Sequence, residues 1–192
     1  MNSWYYYWLT TIRNIGPKKM KYLLDAFGTP MVVYHKDYGD YENLECFSKK
    51  DIEAIVESKK QNKITTEIEK IKSKNIKIIS IESKGYPELL KEIADPPYVL
   101  YQNGEADFQK PHIAIVGSRK CSEYGYTMAC EIAKGLSKVG VVVVSGLALG
   151  IDAAAHKGAL QEGSTVAVLG NGSDISYPPS NSKLQKQIEV QG

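Results

Sequence analysis

Residues 141–156 read VVVVSGLALGIDAAAH, and this stretch determines the fold class. Four consecutive valines predict a strand that is covered on both faces, because an apolar run without alternation has no side suited to water. The strand ends at Ser145-Gly146, and a helix is predicted over residues 152–161. A strand, a glycine-containing turn and a helix form the repeating unit of a parallel α/β sheet.

The same unit occurs once before this stretch and once after it. The earlier unit has an apolar strand over residues 113–116 and a helix over 124–139. The later one has a strand over residues 165–169 and a helix over 178–189. Three successive units predict a Rossmann-like parallel sheet, covered by helices on both faces, within residues 111–192.

Each predicted strand is followed by a loop of small, flexible residues. The three loops begin with Gly117-Ser118-Arg119, Ser145-Gly146-Leu147 and Gly170-Asn171-Gly172-Ser173. In a parallel sheet these loops lie along one edge, and the following helices point their N-termini toward it. Free backbone N–H groups and cationic side chains at such an edge are suited to phosphate oxygens.

The predicted phosphate-binding residues are therefore the glycines, polar side chains and cations of these loops. They are Gly117, Ser118, Arg119, Lys120, Ser145, Gly146, Gly150, Gly170, Asn171, Gly172 and Ser173. The alternative is that these glycines serve only to turn the chain. Three successive loops of this kind, with an arginine in the first, favour the anion site.

Several ligand classes do not fit these loops. The dinucleotide fingerprint G-x-G-x-x-G and the Walker P-loop are both missing from the sequence. Its three histidines are scattered and provide no three-ligand metal set. We therefore expect neither a cofactor nor a metal ion.

Asp152 and His156 could suggest a catalytic triad together with Ser145. However, Ser145 lacks the G-x-S-x-G turn of a nucleophile. Asp152 and His156 are four residues apart on one predicted helix, so we expect them to pair with each other as structural residues. These residues therefore do not favour a hydrolase.

The first 74 residues predict a small helical domain, and residues 75–110 a linker region with strands that leads into the sheet. Around Gly16, the Ile15-Gly16-Pro17 turn resembles a helix-hairpin-helix, in which Lys18 and Lys19 would lie beside a DNA phosphate. A domain of the sterile-alpha-motif type, used for protein contacts, fits the pattern equally well. Both interpretations remain open.

Composition restricts the function classes further. The chain has 192 residues and a formal net charge of only +2, so a nucleic-acid-binding surface would have to concentrate its cations locally. Its three cysteines have no metal-like spacing, which favours a reducing compartment. No segment is apolar for long enough to span a membrane, and we expect a cytoplasmic protein without a membrane partner.

The order and spacing of several motifs resemble the DNA-processing protein A family, also called DprA or Smf. The motifs are residues 115–119 (IVGSR), 124–125 (YG), 144–156 (VSGLALGIDAAAH), 159–160 (AL), 167–172 (AVLGNG) and 177–181 (YPPSN). The segments 86–90 (YPELL) and 96–101 (PPYVLY) resemble the family's lead-in. The resemblance covers residues 76–192 strongly and the helical region more loosely.

This resemblance implies a protein that binds and protects incoming single-stranded DNA and hands it to the RecA recombinase, in natural transformation and DNA recombination. It makes Arg119 the arginine that grips a phosphate. The pocket around it would be lined by Ser118, Ser145, Gly146, Gly170, Asn171 and Gly172. Asp152 and His156 belong to the family motif as structural residues, and the family is not known for enzymatic activity.

Two departures from the family pattern bear on this expectation. Leu149 occupies a position that is often basic in relatives, and the chain ends at Gly192, where family members continue with further strands. We therefore expect an extended Rossmann fold whose C-terminal part is missing, with self-association a property of the full-length protein. The alternative function is a nucleoside-monophosphate phosphoribohydrolase-like enzyme, whose P-G-G-x-G-T-x-x-E motif is missing from this sequence.

Overall fold

The structure is a computed structural model that describes residues 3–60, 63–172 and 175–192. The chain forms two compact units, Met1–Gln102 and Asn103–Gly192. The single boundary between the two units lies after Gln102, so the strands predicted between residues 75 and 102 belong to the helical unit. The predicted boundaries at residues 74 and 110 stay a prediction. Within the described residues, none of the helices is both long and apolar enough to cross a membrane.

The first unit combines short helices with an antiparallel strand pair. Its elements are α1 (Ser3–Thr11), α2 (Pro17–Phe27), α3 (Pro30–His35), α4 (Tyr38–Glu42), α5 (Lys49–Lys59), α6 (Lys63–Ser73), β1 (Lys77–Ser80), α7 (Glu88–Lys91) and β2 (Val99–Gln102). Strand β1 pairs antiparallel with β2. The helices enclose a core of fully buried side chains that includes Trp8, Leu23 and Tyr41.

Local capping explains where the helix α5 begins. The Ser48 hydroxyl accepts a hydrogen bond from the Asp51 backbone N–H, and the Asp51 carboxylate accepts one from the Ser48 N–H at 2.9 Å. This reciprocal pair satisfies two N–H groups that have no partner within the helix. Ser48 is thus the N-cap of α5.

The second unit contains the parallel sheet. Its elements are β3 (His112–Ala114), α8 (Glu123–Lys138), β4 (Val142–Ser145), α9 (Ile151–Ala159), β5 (Thr165–Ala167), a 3-10 turn (Pro179–Asn181) and α10 (Ser182–Gln191). The strands lie in the order β3-β4-β5, and both neighbouring pairs are parallel. The predicted α/β fold with a parallel sheet is confirmed.

Helices α8, α9 and α10 cover the same face of this sheet. Val143 packs with Ala133 of α8 and Ala155 of α9, while Ala167 packs against the α9–α10 cluster that contains Leu184. Val143 and Ala167 both point to this face, because the register pairs Val143 with Thr165, two residues before Ala167.

The opposite face of the sheet is only partly covered among the described residues, since Val142 is buried there but the segments just beyond the strand ends are exposed. Val116 and Val168 point to it and are 71% and 62% exposed, and Ala114 is exposed as well. Among the described residues, the predicted coverage of this second face is found at Val142 and not beyond the carboxyl ends of β3 and β5. An apolar strand shows that a face avoids water, but it does not show which segment covers that face.

Candidate functional site

The three loops that follow the parallel strands meet at one edge of the sheet. We call them loop 1 (residues 115–122), loop 2 (residues 146–150) and loop 3 (residues 168–172 and 175–178), and the surface they form the loop edge. Ile151 N–H, just after loop 2, donates to the Ser118 oxygen of loop 1 at 3.2 Å. Val168 N–H of loop 3 donates to the Ser145 oxygen at 2.9 Å. The structure thus brings together the loops that the sequence predicted would converge.

Loop 1 displays two cationic side chains. The Ser118 hydroxyl donates to the Lys120 oxygen at 2.9 Å and accepts from the Lys120 N–H at 3.1 Å, which closes a tight turn. Arg119 and Lys120 are exposed on this turn. Neither side chain makes an ion pair or a hydrogen bond with the residues that the structure describes. Both charges are therefore available to a ligand.

Helix α8 begins directly after this turn. The Ser122 hydroxyl caps it by accepting from the Gly125 N–H at 3.1 Å. The helix is 16 residues long, so its N-terminus carries the partial positive charge of a helix dipole. The exposed Glu123 in the first turn offsets part of that charge. The electrostatic attraction for an anion at loop 1 comes mainly from Arg119 and Lys120.

Loop 2 has a different construction, because its polar groups are satisfied within the protein. The buried Asp152 carboxylate accepts from the Gly146 N–H at 3.1 Å and from the Ala148 N–H at 3.4 Å. On the other side, the Asn181 amide donates to the oxygens of Leu147, at 2.9 Å, and Ala148, at 3.1 Å. The Gly146 N–H, predicted to face a ligand, is thus held by a carboxylate.

Ser145 does not have the role predicted for its hydroxyl. The side chain is buried, and its Oγ donates to the Ile115 oxygen at 2.6 Å. This bond ties the end of β4 to the neighbouring chain segment after β3. The prediction of a ligand-facing hydroxyl at Ser145 was wrong, because the residue points into the helix-covered side of the sheet.

Gly150 allows loops 1 and 2 to come into contact. Its φ is +75°, and a Cβ at this position would lie 2.2 Å from the Ser118 oxygen and 2.9 Å from the Arg119 oxygen. A side chain at residue 150 would displace the backbone that presents Arg119. Gly150 therefore positions loop 1, and this is how it contributes to the loop edge.

Asp152 and His156 do not pair with each other as predicted. The carboxylate is bound to loop 2, while His156 Nδ1 lies 2.8 Å from the Thr165 hydroxyl. That hydroxyl donates to the Val143 oxygen, so it accepts the hydrogen bond that His156 Nδ1–H donates. Their spacing of four residues brings both side chains onto one side of α9, but loop 2 and β5 offer each a separate partner.

The histidine is neutral at physiological pH. His156 is fully buried, and burial lowers its pKa to about 4, although the Asp152 charge acts in the opposite direction. Its Nε2 has no hydrogen-bond partner within the described part of the chain. Both residues hold α9 in place beneath loop 2.

In loop 3 the Asn171 side chain braces the loop itself. Its amide donates to the Gly172 oxygen at 3.0 Å and to the Ile175 oxygen at 2.5 Å. Gly170 and Gly172 are exposed at the loop edge. Ser173, also predicted to bind phosphate, lies outside the described residues.

The helix-hairpin-helix candidate in the first unit keeps one free lysine. Gly16 precedes α2, and its oxygen accepts from the Met20 N–H at 3.0 Å. Lys19 Nζ lies 2.7 Å from the buried Asp51 carboxylate, so its charge is neutralised within the domain. Lys18 is exposed and makes no ion pair with any described residue. A DNA contact by Lys19 does not agree with this geometry.

Sequence reasoning assigned no role to Asn181, which anchors loop 2. It stands in the quoted YPPSN motif, and its side chain reaches backbone oxygens more than 30 residues away in sequence. The sequence signal for this role was a polar residue directly before α10, at a position expected to be buried. Such a residue needs partners inside the protein, but the sequence does not name them.

With the site defined, comparisons with known proteins identify the family. The family model for DNA recombination-mediator protein A matches residues 77–192. The chain belongs to this family. The resemblance to DprA and Smf proteins, inferred from the motifs, is thereby confirmed.

Individual members of the DNA recombination-mediator protein A family show how far the similarity extends. Protein Smf of Synechocystis is 35% identical over 199 residues, which cover 100% of this chain and 50% of that protein. The DNA processing protein DprA of Streptococcus pneumoniae is 47% identical over 111 residues, covering 57% of this chain and 39% of the relative. The chain spans about half the length, or less, of these curated relatives.

Solved structures of two family members superpose on this chain. The X-ray structure of DprA from Streptococcus pneumoniae gives a TM-score of 0.79 at 30% identity, covering 100% of this chain and 65% of that one. DNA processing protein A from Helicobacter pylori, whose single-stranded DNA binding mode has been described, gives 0.53 at 30% identity. That match covers 61% of this chain and 53% of the Helicobacter pylori chain.

Proposed function

We propose that this chain binds single-stranded DNA at the loop edge, gripping the phosphate backbone with loop 1, and that it does so without catalysing a reaction. The observation that carries the proposal is the exposed Arg119–Lys120 pair, without an ion-pair partner among the described residues, on its fixed turn beside the N-terminus of α8. An arginine can hold a phosphate through two parallel hydrogen bonds, and a neighbouring lysine adds a point charge.

The net charge of the chain fits a local mode of binding. At +2 overall, the protein has no general attraction for nucleic acid, so a free cationic pair at one edge determines where the backbone would bind. The Helicobacter pylori relative binds single-stranded DNA, which supports this choice of ligand. Gly117, Ser118, Gly170 and Gly172 would border the strand.

Loop 2 supports this site without contributing ligand groups of its own. Its N–H groups are bound by Asp152 and its carbonyl groups by Asn181. The Asp152 carboxylate is therefore occupied by loop 2, and His156 is fully buried, so neither side chain is presented to a substrate. These contacts favour a binding protein over the phosphoribohydrolase-like alternative.

Membership of the family extends the proposal to partners. We propose that the DNA is passed to the RecA recombinase during natural transformation and recombination, that the full-length protein self-associates, and that it works in the cytoplasm. Co-purification of the protein with RecA, in the presence and absence of an oligonucleotide, tests the partner. A complex that fails to form under either condition would count against it.

The test of DNA binding is fluorescence anisotropy with labelled oligo-dT across a salt series. Arg119→Ala should lower the affinity by about tenfold to a hundredfold, because a charge-assisted contact contributes on the order of 1.5–3 kcal/mol. It should also reduce the slope of log affinity against log salt by about 0.7. The loss should be similar for different base sequences, since a phosphate contact does not read the base.

Lys138→Ala is the matched control, because Lys138 is an exposed cation in the last turn of the same helix α8, about 20 Å from its start. Its affinity should equal that of wild type. Unchanged affinity and salt slope in Arg119→Ala, with an intact fold, would contradict the proposal. Release of free base from nucleoside monophosphates, abolished by His156→Ala, would instead establish an enzyme.

A further inference from the structure

The second unit contains three tyrosines, and two of them have no role in its packing. Tyr126 is half-buried, and its hydroxyl accepts a hydrogen bond from Lys157 Nζ at 2.9 Å. Tyr124 and Tyr177 are 74% and 64% exposed. Neither makes a ring contact or a side-chain hydrogen bond with the residues described by the structure. The contacts that stabilise this unit therefore do not explain why these two positions carry aromatic rings.

Both exposed rings border the loop edge. Tyr124 is the second residue of α8, so it follows directly on the turn that displays Arg119 and Lys120. Tyr177 closes loop 3 just before the 3-10 turn, whose Asn181 is bonded to loop 2. One ring thus stands at loop 1, and the other stands where loop 3 meets loop 2.

The surface between these positions is also apolar. Leu149 of loop 2 and Ile175 of loop 3 are 44% and 58% exposed. Single exposed apolar side chains are common on proteins and need no explanation. Leu149, Ile175 and Tyr177 on adjoining loops and Tyr124 in the first turn of α8 lie near two cations that have no ion-pair partner among the described residues. Together they form the combination of apolar surface and charge that a single strand with unstacked bases requires.

We propose that Tyr124 and Tyr177 stack on bases of the strand whose phosphates Arg119 and Lys120 hold. The inference rests on the proposed function, because the cations keep the backbone at the loop edge and the rings act on the bases attached to it. Stacking on a ring face requires a base that is not already stacked in a duplex. The two tyrosines therefore make the site selective for single strands over double strands, which phosphate contacts alone would not.

The test compares two labelled probes, an oligo-dT and an abasic oligonucleotide of the same length and charge, by anisotropy at one salt concentration. In Tyr124→Leu and Tyr177→Leu the apolar bulk remains but the π-face is lost. Each variant should bind oligo-dT on the order of fivefold to a hundredfold more weakly. Each should bind the abasic probe as wild type does. Tyr124→Phe and Tyr177→Phe should keep wild-type affinity for both probes, because phenylalanine also stacks.

Two further variants separate this inference from the proposed function. Arg119→Ala should weaken binding to both probes equally, whereas Ile132→Ala, an exposed apolar residue on the same helix as Tyr124, should weaken neither. Wild-type affinity for oligo-dT in both leucine variants, or equal losses on both probes, would overturn the stacking role alone. Failure of the wild-type protein to bind either probe would overturn the proposed function and the stacking role with it.

Discussion

Loop 1 and loop 2 follow neighbouring parallel strands and both contain glycine, yet they differ in what they leave free. In loop 1 the Ser118 hydroxyl bonds to the backbone of Lys120, and the side chains of Arg119 and Lys120 stay exposed. Loop 2 directs its N–H groups to the buried Asp152 and its carbonyls to Asn181. The difference shows that a glycine-containing loop at a sheet edge can either leave charged side chains exposed or bind its polar groups within the protein.

The strongest test of this division is to place a side chain where the two loops cross. Gly150→Ala should lower the free energy of unfolding by about 3–5 kcal/mol, from a strained φ and from the clash with the Ser118 oxygen. Urea denaturation measures the change. The matched control is Gly170→Ala in loop 3, where a Cβ meets nothing within 4 Å and the loss should stay below about 1 kcal/mol. Equal losses would show that the crossing is not tight.

The packing beneath loop 2 predicts a pH dependence of stability. The pKa of His156 is about 4 in the folded protein against 6.5 ordinarily, so between these values the unfolded chain binds the proton more readily. The free energy of unfolding should therefore fall as pH is lowered from 6.5 to about 4, by up to about 3 kcal/mol. Urea denaturation at several pH values measures this fall.

The comparison variant is His156→Asn, which keeps a donor for the Thr165 hydroxyl but does not titrate. Its stability should depend less steeply on pH within the same window. If the free energy of unfolding falls equally steeply with pH in the variant and the wild type, protonation of His156 does not cause the fall.

Removal of the carboxylate tests how loop 2 is held. Asp152→Ala should cost about 2 kcal/mol of stability, because two N–H groups lose a charged acceptor. Hydrogen exchange at Gly146 and Ala148 should accelerate. Glu123→Ala is the loop 1 counterpart, since Glu123 is an exposed carboxylate in the first turn of α8, and it should change stability by less than about 0.5 kcal/mol. Slow exchange in Asp152→Ala would contradict the bonding of loop 2.

The smallest expected effect concerns the second cation of loop 1. Lys120→Ala should weaken oligo-dT binding by about fivefold, because an exposed ammonium contributes about 1 kcal/mol, and stability should not change. Anisotropy beside Arg119→Ala gives the ratio of the two losses. A larger loss for Lys120 than for Arg119 would reverse their roles at the phosphate.

The fold was predictable because its signal is local. Strand, turn and helix alternate in residues 111–192 with a periodicity that can be counted along the chain, and the carboxyl ends of parallel strands must share an edge. The convergence of the loops followed from that rule. Full coverage of the second sheet face did not follow, since Val116 and Val168 are exposed among the described residues.

The roles of individual polar groups depended on partners that are distant in sequence. Ser145 bonds to Ile115, 30 residues earlier, and Asn181 to Leu147, 34 residues earlier. Lys19 is similarly held by Asp51. Buried polar groups must find a partner, but which partner depends on how the elements pack.

The sequence by itself determined that this chain has a parallel α/β sheet with glycine-containing loops at one edge and belongs to the DNA recombination-mediator protein A family. The periodicity of apolar residues and the order of the motifs carry that information, and neither depends on side-chain contacts. Only the tertiary structure decided that Arg119 and Lys120 stay free while Ser145, Gly146 and Asp152 are bonded internally. A side chain is available to a ligand only when no closer partner satisfies it, and that competition is settled by packing.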